Sequence, residues 1–186
     1  INNGIINVIK TTPVATGNSF SILGSPMSGT TRSGAFLDNN VVMNHDTSLF
    51  NLDPAVTAVN LGAEHFADAE GDNWSFMNGS VVINPSEGYL VGPTTASVGS
   101  GSYDLTYTQG TLNNGVYNYS ALYNGSQEES ANILSNPYAS AIDAIQFIGN
   151  NPVVDAVYFW EHLTAPSSGY PGYRFENWNM GDISIH

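Results

Sequence analysis

Two stretches of this chain follow one pattern. "SILGSPMSGTTRSGAFLDNNVV" (Ser21 to Val42) runs parallel to "NILSNPYASAIDAIQFIGNNPVV" (Asn132 to Val154). Ile22-Leu23 corresponds to Ile133-Leu134, Pro26 to Pro137, and Phe36-Leu37 with Asn39-Asn40 to Phe147-Ile148 with Asn150-Asn151. Pro26 and Pro137 are 111 residues apart, as are Asn40 and Asn151, so no gap is needed before Pro152. A constant offset of this kind marks an internal duplication, and it requires that whatever the first copy builds be compatible with a second.

Each copy reads as strand, proline corner, short helix, strand. Pro137 favours an extended Asn136, so a strand ends there. Ser140 followed by Asp143 fits a capping box, Ile142, Ile145, Phe147 and Ile148 give an apolar face, and Gly149-Asn150-Asn151-Pro152 ends the helix.

Elsewhere the signal is β. Short runs such as "GIINVIKTT", "NSFSILGSP" and "GSVVINPSEGYLVGPTT" are separated by Gly, Asn, Pro and Ser clusters. In "SYDLTYTQGTLNNGVYNYSALYNG", Tyr103, Leu105 and Tyr107 alternate with polar residues, and "LNNGV" offers an Asn-Gly turn, which predicts a β-hairpin with one wet face. The expected fold class is therefore all-β: a mainly antiparallel β-sandwich, jelly-roll or immunoglobulin-like, with one or two short helices and an internal duplication. Residues 1–98 make the first repeat and 99–186 the second, as two units or one intertwined sandwich. A fainter echo links "GDNWSFMNGSVVINPSEGYLVGP" to "FENWNMGDISIH", and the second repeat reads as short of the strand that "SEGYLVGP" supplies to the first. An open sheet edge filled by a neighbouring domain is the corollary.

Charge narrows the partners. With 3 Lys and Arg against 16 Asp and Glu, the net charge is −13, too acidic for the counterion release that nucleic-acid binding uses. Anionic membrane surfaces are disfavoured for the same reason, and no apolar run approaches the ~20 residues of a membrane span. Only 10% of residues are charged, so neutral polar side chains carry much of the solubility, a balance typical of extracellular β proteins. With no cysteine, disulfides, thiolate catalysis and cysteine-based zinc sites are excluded.

In combination, "SFSILGSPM", "SEGYLVGPTT", "NILSNPYASAIDAIQFIGNNP" and "VDAVYFWEHLT", from roughly Ile9 to His162, resemble a β-rich module of large secreted and cell-surface, adhesin-like proteins of Bacteroidota exported by type IX secretion. Ser135 and Ala139 stand where that family more often has Gly and Pro, which leaves the corner intact but less rigid. The resemblance implies a secreted or outer-surface location, and neighbouring domains of the same large protein or other surface and secretion-system proteins as partners. It assigns no catalytic residue.

"EHFADAEGDNW" alternates Asp68, Glu70 and Asp72, whose oxygens could serve one Ca²⁺ ion, although the loop lacks the glycine and final glutamate of an EF-hand and reads more simply as a solvated acidic loop. His45 with Asp46, His65 and His162 have no spacing that joins two imidazoles. No G-x-S-x-G elbow occurs, and Glu87, Glu128, Glu161 and Glu176 are the carboxylates a glycosidase would draw on. "YFWEH" and "GYPGYRFENW" concentrate rings, with Tyr158, Trp160, Tyr173 and Trp178 as candidates for stacking on sugars. Alternation in the former also suits a strand buried on both faces. The expectation is a non-catalytic exported surface module with an adhesive or extracellular structural role. The alternative is a carbohydrate-binding or accessory module of a secreted polysaccharide-degrading enzyme, with glycans as ligands. No cofactor is expected beyond that Ca²⁺.

Overall fold

The computed structural model describes residues 6–12, 20–36, 41–51, 68–94, 101–125, 130–154, 156–160 and 183–185. Within them the protein is mainly β, in antiparallel sheets with few short helices. The largest sheet has four strands in the order β2 (Ser21–Leu23), β6 (Tyr89–Val91), β4 (Val42–His45) and β5 (Trp74–Phe76). Three two-stranded sheets join β1 (Val8–Thr11) to β7 (Asp104–Tyr107), β3 (Met27–Ser28) to β8 (Thr111–Leu112), and β9 (Tyr158–Trp160) to β10 (Ile183–Ile185). The helices are α1 (Arg32–Ala35) and α2 (Ala144–Asn150), with a 3-10 turn at Thr47–Leu49.

The burial of each strand follows from its pattern. In β7, Leu105 and Tyr107 are buried while Asp104 and Thr106 face water, as the alternation predicts. β6 is apolar at every position because it lies between β2 and β4 with both faces covered. Tyr89 and Val91 enter the main core, and Leu90 joins Phe20 and Met43 on the other face.

Two layers meet in that main core. Val8, Leu105 and Tyr107 from the β1–β7 sheet pack with Val42, Tyr89 and Val91 of the four-stranded sheet, and Met27, Phe36 and Ile83 complete the cluster. Phe36 holds its ring edge-on to Tyr89 at 6.3 Å and to Tyr107 at 6.5 Å, an arrangement that aromatic quadrupoles favour. Each such side chain contributes about 1.5–3 kcal/mol by burial.

Two local expectations are corrected. The predicted hairpin does not form, because β7 pairs with β1 and β8 with β3 rather than with each other. Asn113, read as a turn residue, is buried instead. The predicted cap at Ser140 is displaced to Asp143, whose carboxylate accepts the Gln146 N–H at 2.9 Å. Asn136 causes the delay: its Oδ1 accepts the Tyr138 N–H at 2.9 Å and its Nδ2 donates to the Ser140 carbonyl at 2.6 Å, keeping the chain in a turn through Ser140. At the other end Asn151 caps α2, its N–H reaching the Ile148 carbonyl at 3.1 Å.

The two duplicated corners lie against each other. Gly24 and Ser135 are counterparts at the offset of 111, and a Cβ on Gly24 would collide with the Ser135 hydroxyl. A Cβ on Gly88 would sit 2.8 Å from the Ile133 Cγ2 and 2.9 Å from the Ile22 Cγ2, another pair of counterparts. Asn113 ties the corners together, its Nδ2 donating to the Ser25 carbonyl at 3.1 Å and the Pro137 carbonyl at 2.7 Å.

Candidate functional site

One polar cluster begins at the "SEG" of "SEGYLVGP", where Asn84 is exposed and Glu87 half-buried. Ser86 is buried with φ of 70°, a left-handed conformation that a side chain adopts only under local constraint. The constraint comes from the second copy. Ser135 donates its N–H to the Ser86 carbonyl at 2.9 Å and its hydroxyl to the Glu87 carbonyl at 2.8 Å, while Gly88 N–H reaches the Ile133 carbonyl at 2.9 Å. Glu87 is thus held where β6 begins.

Its carboxylate is only half occupied. Oε2 accepts the Tyr89 hydroxyl at 2.9 Å and the Asn84 Nδ2 at 2.8 Å, whereas Oε1 has no partner among the described residues. The Tyr89 oxygen in turn accepts the Asn84 backbone N–H at 3.0 Å, so the phenol both donates and accepts. Burial above all raises the Tyr89 pKa, with the Glu87 carboxylate adding to the rise, and the phenol stays neutral. Burial first, then the Glu87 charge, push the Tyr119 phenol above its ordinary value.

A second cluster surrounds His45 at the end of β4. Asn73 Nδ2 lies 3.2 Å from its Nε2, and Thr47 Oγ1 lies 3.4 Å from its Nδ1 while donating to the Ala131 carbonyl at 2.8 Å. An amide NH₂ can only donate and the Thr47 proton is engaged, so the imidazole accepts at Nε2 and carries its proton at Nδ1. Burial lowers its pKa to about 4, against the opposing charges of Asp46 and Asp68, and Trp74 packs edge-on at 4.8 Å. This neutral ring braces the end of β4 through both of its nitrogens.

The acidic loop has a similar use. Asp68 is buried, accepting Asn51 N–H at 2.7 Å on Oδ1, and the N–H groups of Gly71 and of Asp72, the latter at 3.2 Å, on Oδ2. Glu70 accepts the Asn51 amide at 2.9 and 3.1 Å. Backbone donors thus occupy both Asp68 oxygens and a side-chain amide meets the Glu70 carboxylate. Among the described residues, no three His, Asp or Glu side chains converge as a metal-holding group.

Of the ring candidates, Tyr158 and Trp160 lie on β9 opposite Ile185 and Ile183, with Tyr158 half-buried. Tyr173 and Trp178 fall outside the described residues, as do His65, His162, Glu128, Glu161 and Glu176. Sequence reasoning named Glu87 only as one of several carboxylates; the signal that singles it out is the Ser-Glu-Gly run entering a continuous apolar strand. No helix among the described residues is long and apolar enough to cross a membrane.

Fold and site together define a mainly antiparallel β module in which described polar side chains brace loops and corners. The chain belongs to the family described as a domain of unknown function (DUF8693), which matches residues 1–184. No curated protein and no solved structure matches it.

Proposed function

We propose that this chain is a non-catalytic module of a larger exported bacterial surface protein, of the type IX-secreted kind seen in Bacteroidota, with an adhesive or extracellular structural role. The observation that carries this reading is the use made of the reactive side chains. Asp68, Glu70 and Asp143 hold backbone or amide donors, and His45 is locked in one neutral tautomer. A catalytic base needs a free lone pair beside substrate, whereas both His45 nitrogens and both Asp68 oxygens meet hydrogen-bond partners of the fold. The sparsely charged, acidic composition and the motif resemblance support an extracellular setting. Neighbouring domains and surface components are then its partners.

The test is direct. The purified chain, coated on beads, is expected to promote attachment to cells or matrix while leaving polysaccharides and ester substrates unconverted. Sustained turnover by the pure chain, lost on a single carboxylate or histidine substitution, would sink the reading. A carbohydrate-binding role is the second reading, favoured by the Glu87 carboxylate, whose Oε1 has no partner among the described residues.

A further inference from the structure

We propose that Asn114 is a site of spontaneous modification, where attack of the Gly115 nitrogen on the Asn114 side-chain amide yields isoaspartate and loosens the tie between the two duplicated corners. Three Asn-Gly pairs lie among the described residues, at Asn78, Asn114 and Asn124. In each of them the glycine leaves its own nitrogen unshielded, so the fold decides which pair reacts. The Asn124 amide is held, its Nδ2 donating to the Phe50 carbonyl at 2.7 Å. At Asn78 and Gly79 the main chain is held, the two carbonyls accepting Val81 N–H at 3.1 Å and Ser33 N–H at 3.0 Å. Asn114 and Gly115 are both exposed, and there the contact joins the reacting groups themselves. Gly115 N–H donates to Asn114 Oδ1 at 2.9 Å, which sets the nitrogen beside the amide carbon it attacks.

The Gly115 nitrogen loses its proton as it bonds to the Asn114 Cγ, and the side-chain nitrogen leaves as ammonia, closing a succinimide ring. Water then opens the ring. Cleavage of the new bond to Cγ gives aspartate, whereas cleavage of the original bond to the Asn114 carbonyl carbon gives isoaspartate, whose main chain runs through Cβ and Cγ and is longer by a methylene. Water is consumed, ammonia is released, and no oxidant or reductant takes part.

The added methylene falls between two anchors. On one side Asn113 N–H reaches the Pro26 carbonyl at 2.9 Å, and the Asn113 amide bridges the Ser25 and Pro137 carbonyls. On the other side the Gly115 carbonyl accepts the Tyr138 hydroxyl at 2.6 Å. A longer main chain moves Gly115 relative to Asn113, so one anchor is given up, and each of them ties this loop to the second corner. Because Asn113 and Pro137 are buried, a carbonyl left without its donor there is costly.

The experiment ages the full chain in mildly alkaline buffer, native and in urea, and maps it by peptide mass spectrometry with fragmentation that distinguishes isoaspartate from aspartate. In the native chain Asn114 is expected to react ahead of Asn78 and Asn124 by about fivefold or more, the factor for one hydrogen bond that must break before attack. In urea the three rates should converge. The melting temperature of the native sample should fall as isoaspartate accumulates, while Asn114→Gln, whose longer side chain closes the ring poorly, should keep its own through the same ageing. Fresh Asn114→Asp carries the new charge without the methylene and should melt with the unmodified protein. Absence of isoaspartate at Asn114, equal or faster reaction at Asn78 or Asn124 in the native chain, or rates that stay apart in urea would overturn the proposal. So would unchanged melting of the isoaspartate-bearing chain, an equal loss in aged Asn114→Gln, or a fresh Asn114→Asp as unstable as the aged protein.

Discussion

Phe36 and Phe147 occupy the same place in the duplicated pattern, yet their surroundings differ. Phe36 is buried between Tyr89 and Tyr107, next to a helix whose Arg32 and Ala35 are also buried. The covering comes from the strip before β6, where the Val81 carbonyl accepts Arg32 N–H at 2.8 Å and Ile83 N–H reaches the Thr30 carbonyl at 3.0 Å. Around Phe147, α2 has no buried residue, and Ile145 is 79% exposed where its counterpart Gly34 is half-buried. The corners themselves match better, for Pro26 and Pro137 are both buried. The duplicated sequence therefore specifies the corner in both copies, while burial of the helix depends on the strands that a copy finds to pack against it.

The largest expected effect tests that difference. Phe36→Ala should destabilise the protein by about 3–5 kcal/mol, leaving a cavity against two tyrosines, whereas Phe147→Ala should cost about 1 kcal/mol. Denaturant unfolding of both variants measures the ratio. Equal losses would mean that the second copy is as well packed as the first, and would break the comparison.

Next come the residues that join the copies. Asn113→Ala removes donors to the Ser25 and Pro137 carbonyls and the acceptor of the Tyr117 hydroxyl at 3.1 Å, with an expected loss of about 2–3 kcal/mol. Gly24→Ala should cost about 1–3 kcal/mol, since its methyl meets Ser135. In the Ser135→Gly background part of that loss should return, because the opposing hydroxyl is gone. A double-mutant cycle on thermal unfolding reads the coupling, and strict additivity would separate the two corners.

What the sequence revealed was set by how local each determinant is. β6 and β7 were legible because burial on one face or two writes itself into consecutive residues such as "GYLVG" and "YDLTY". The partner of β7 was not, since Thr11 and Asp104 are 93 residues apart and nothing near Asp104 points to β1. Asn113 misled for the same reason: "LNNG" is a turn by local chemistry, and only a distant proline carbonyl makes its amide a clamp. At the candidate site, Glu87 was visible as an acid, but its half-occupied state depends on Asn84 and Tyr89 meeting around one oxygen.

A smaller effect probes the polar tie between the first half and the second copy, through His45, Thr47 and the Ala131 carbonyl. The folded-state pKa of His45, about 4, lies below the ordinary value of 6.5. The unfolded chain therefore binds the proton more readily, so this contribution is fully present above pH 6.5, declines between 6.5 and 4, and is lost below 4. Because the ring is partly exposed, about 1–2 kcal/mol is expected rather than the full shift. His45→Gln should flatten the stability profile across that window. An unchanged slope would mean that the imidazole does not report the tie.

The smallest effects lie at the helix starts, where the two copies use different residues for one task. Thr31 caps α1 by accepting Gly34 N–H at 3.3 Å, and Asp143 caps α2 by accepting Gln146 N–H at 2.9 Å. Loss of a cap costs about 0.5–2 kcal/mol, and the loss is felt in full only when the helix is coupled to the rest of the fold. Thr31→Ala should therefore lower global stability by about 1 kcal/mol, because α1 carries Ala35 into the core. Asp143→Ala should leave global unfolding nearly unchanged and instead speed amide exchange within Ala144–Asn150, since α2 can open without exposing a buried residue. Ser140→Ala should do neither, its hydroxyl having no capping contact. If Asp143→Ala lowers the global midpoint as much as Thr31→Ala does, α2 is part of the cooperative core, and the difference between the two copies is one of exposure without being one of coupling.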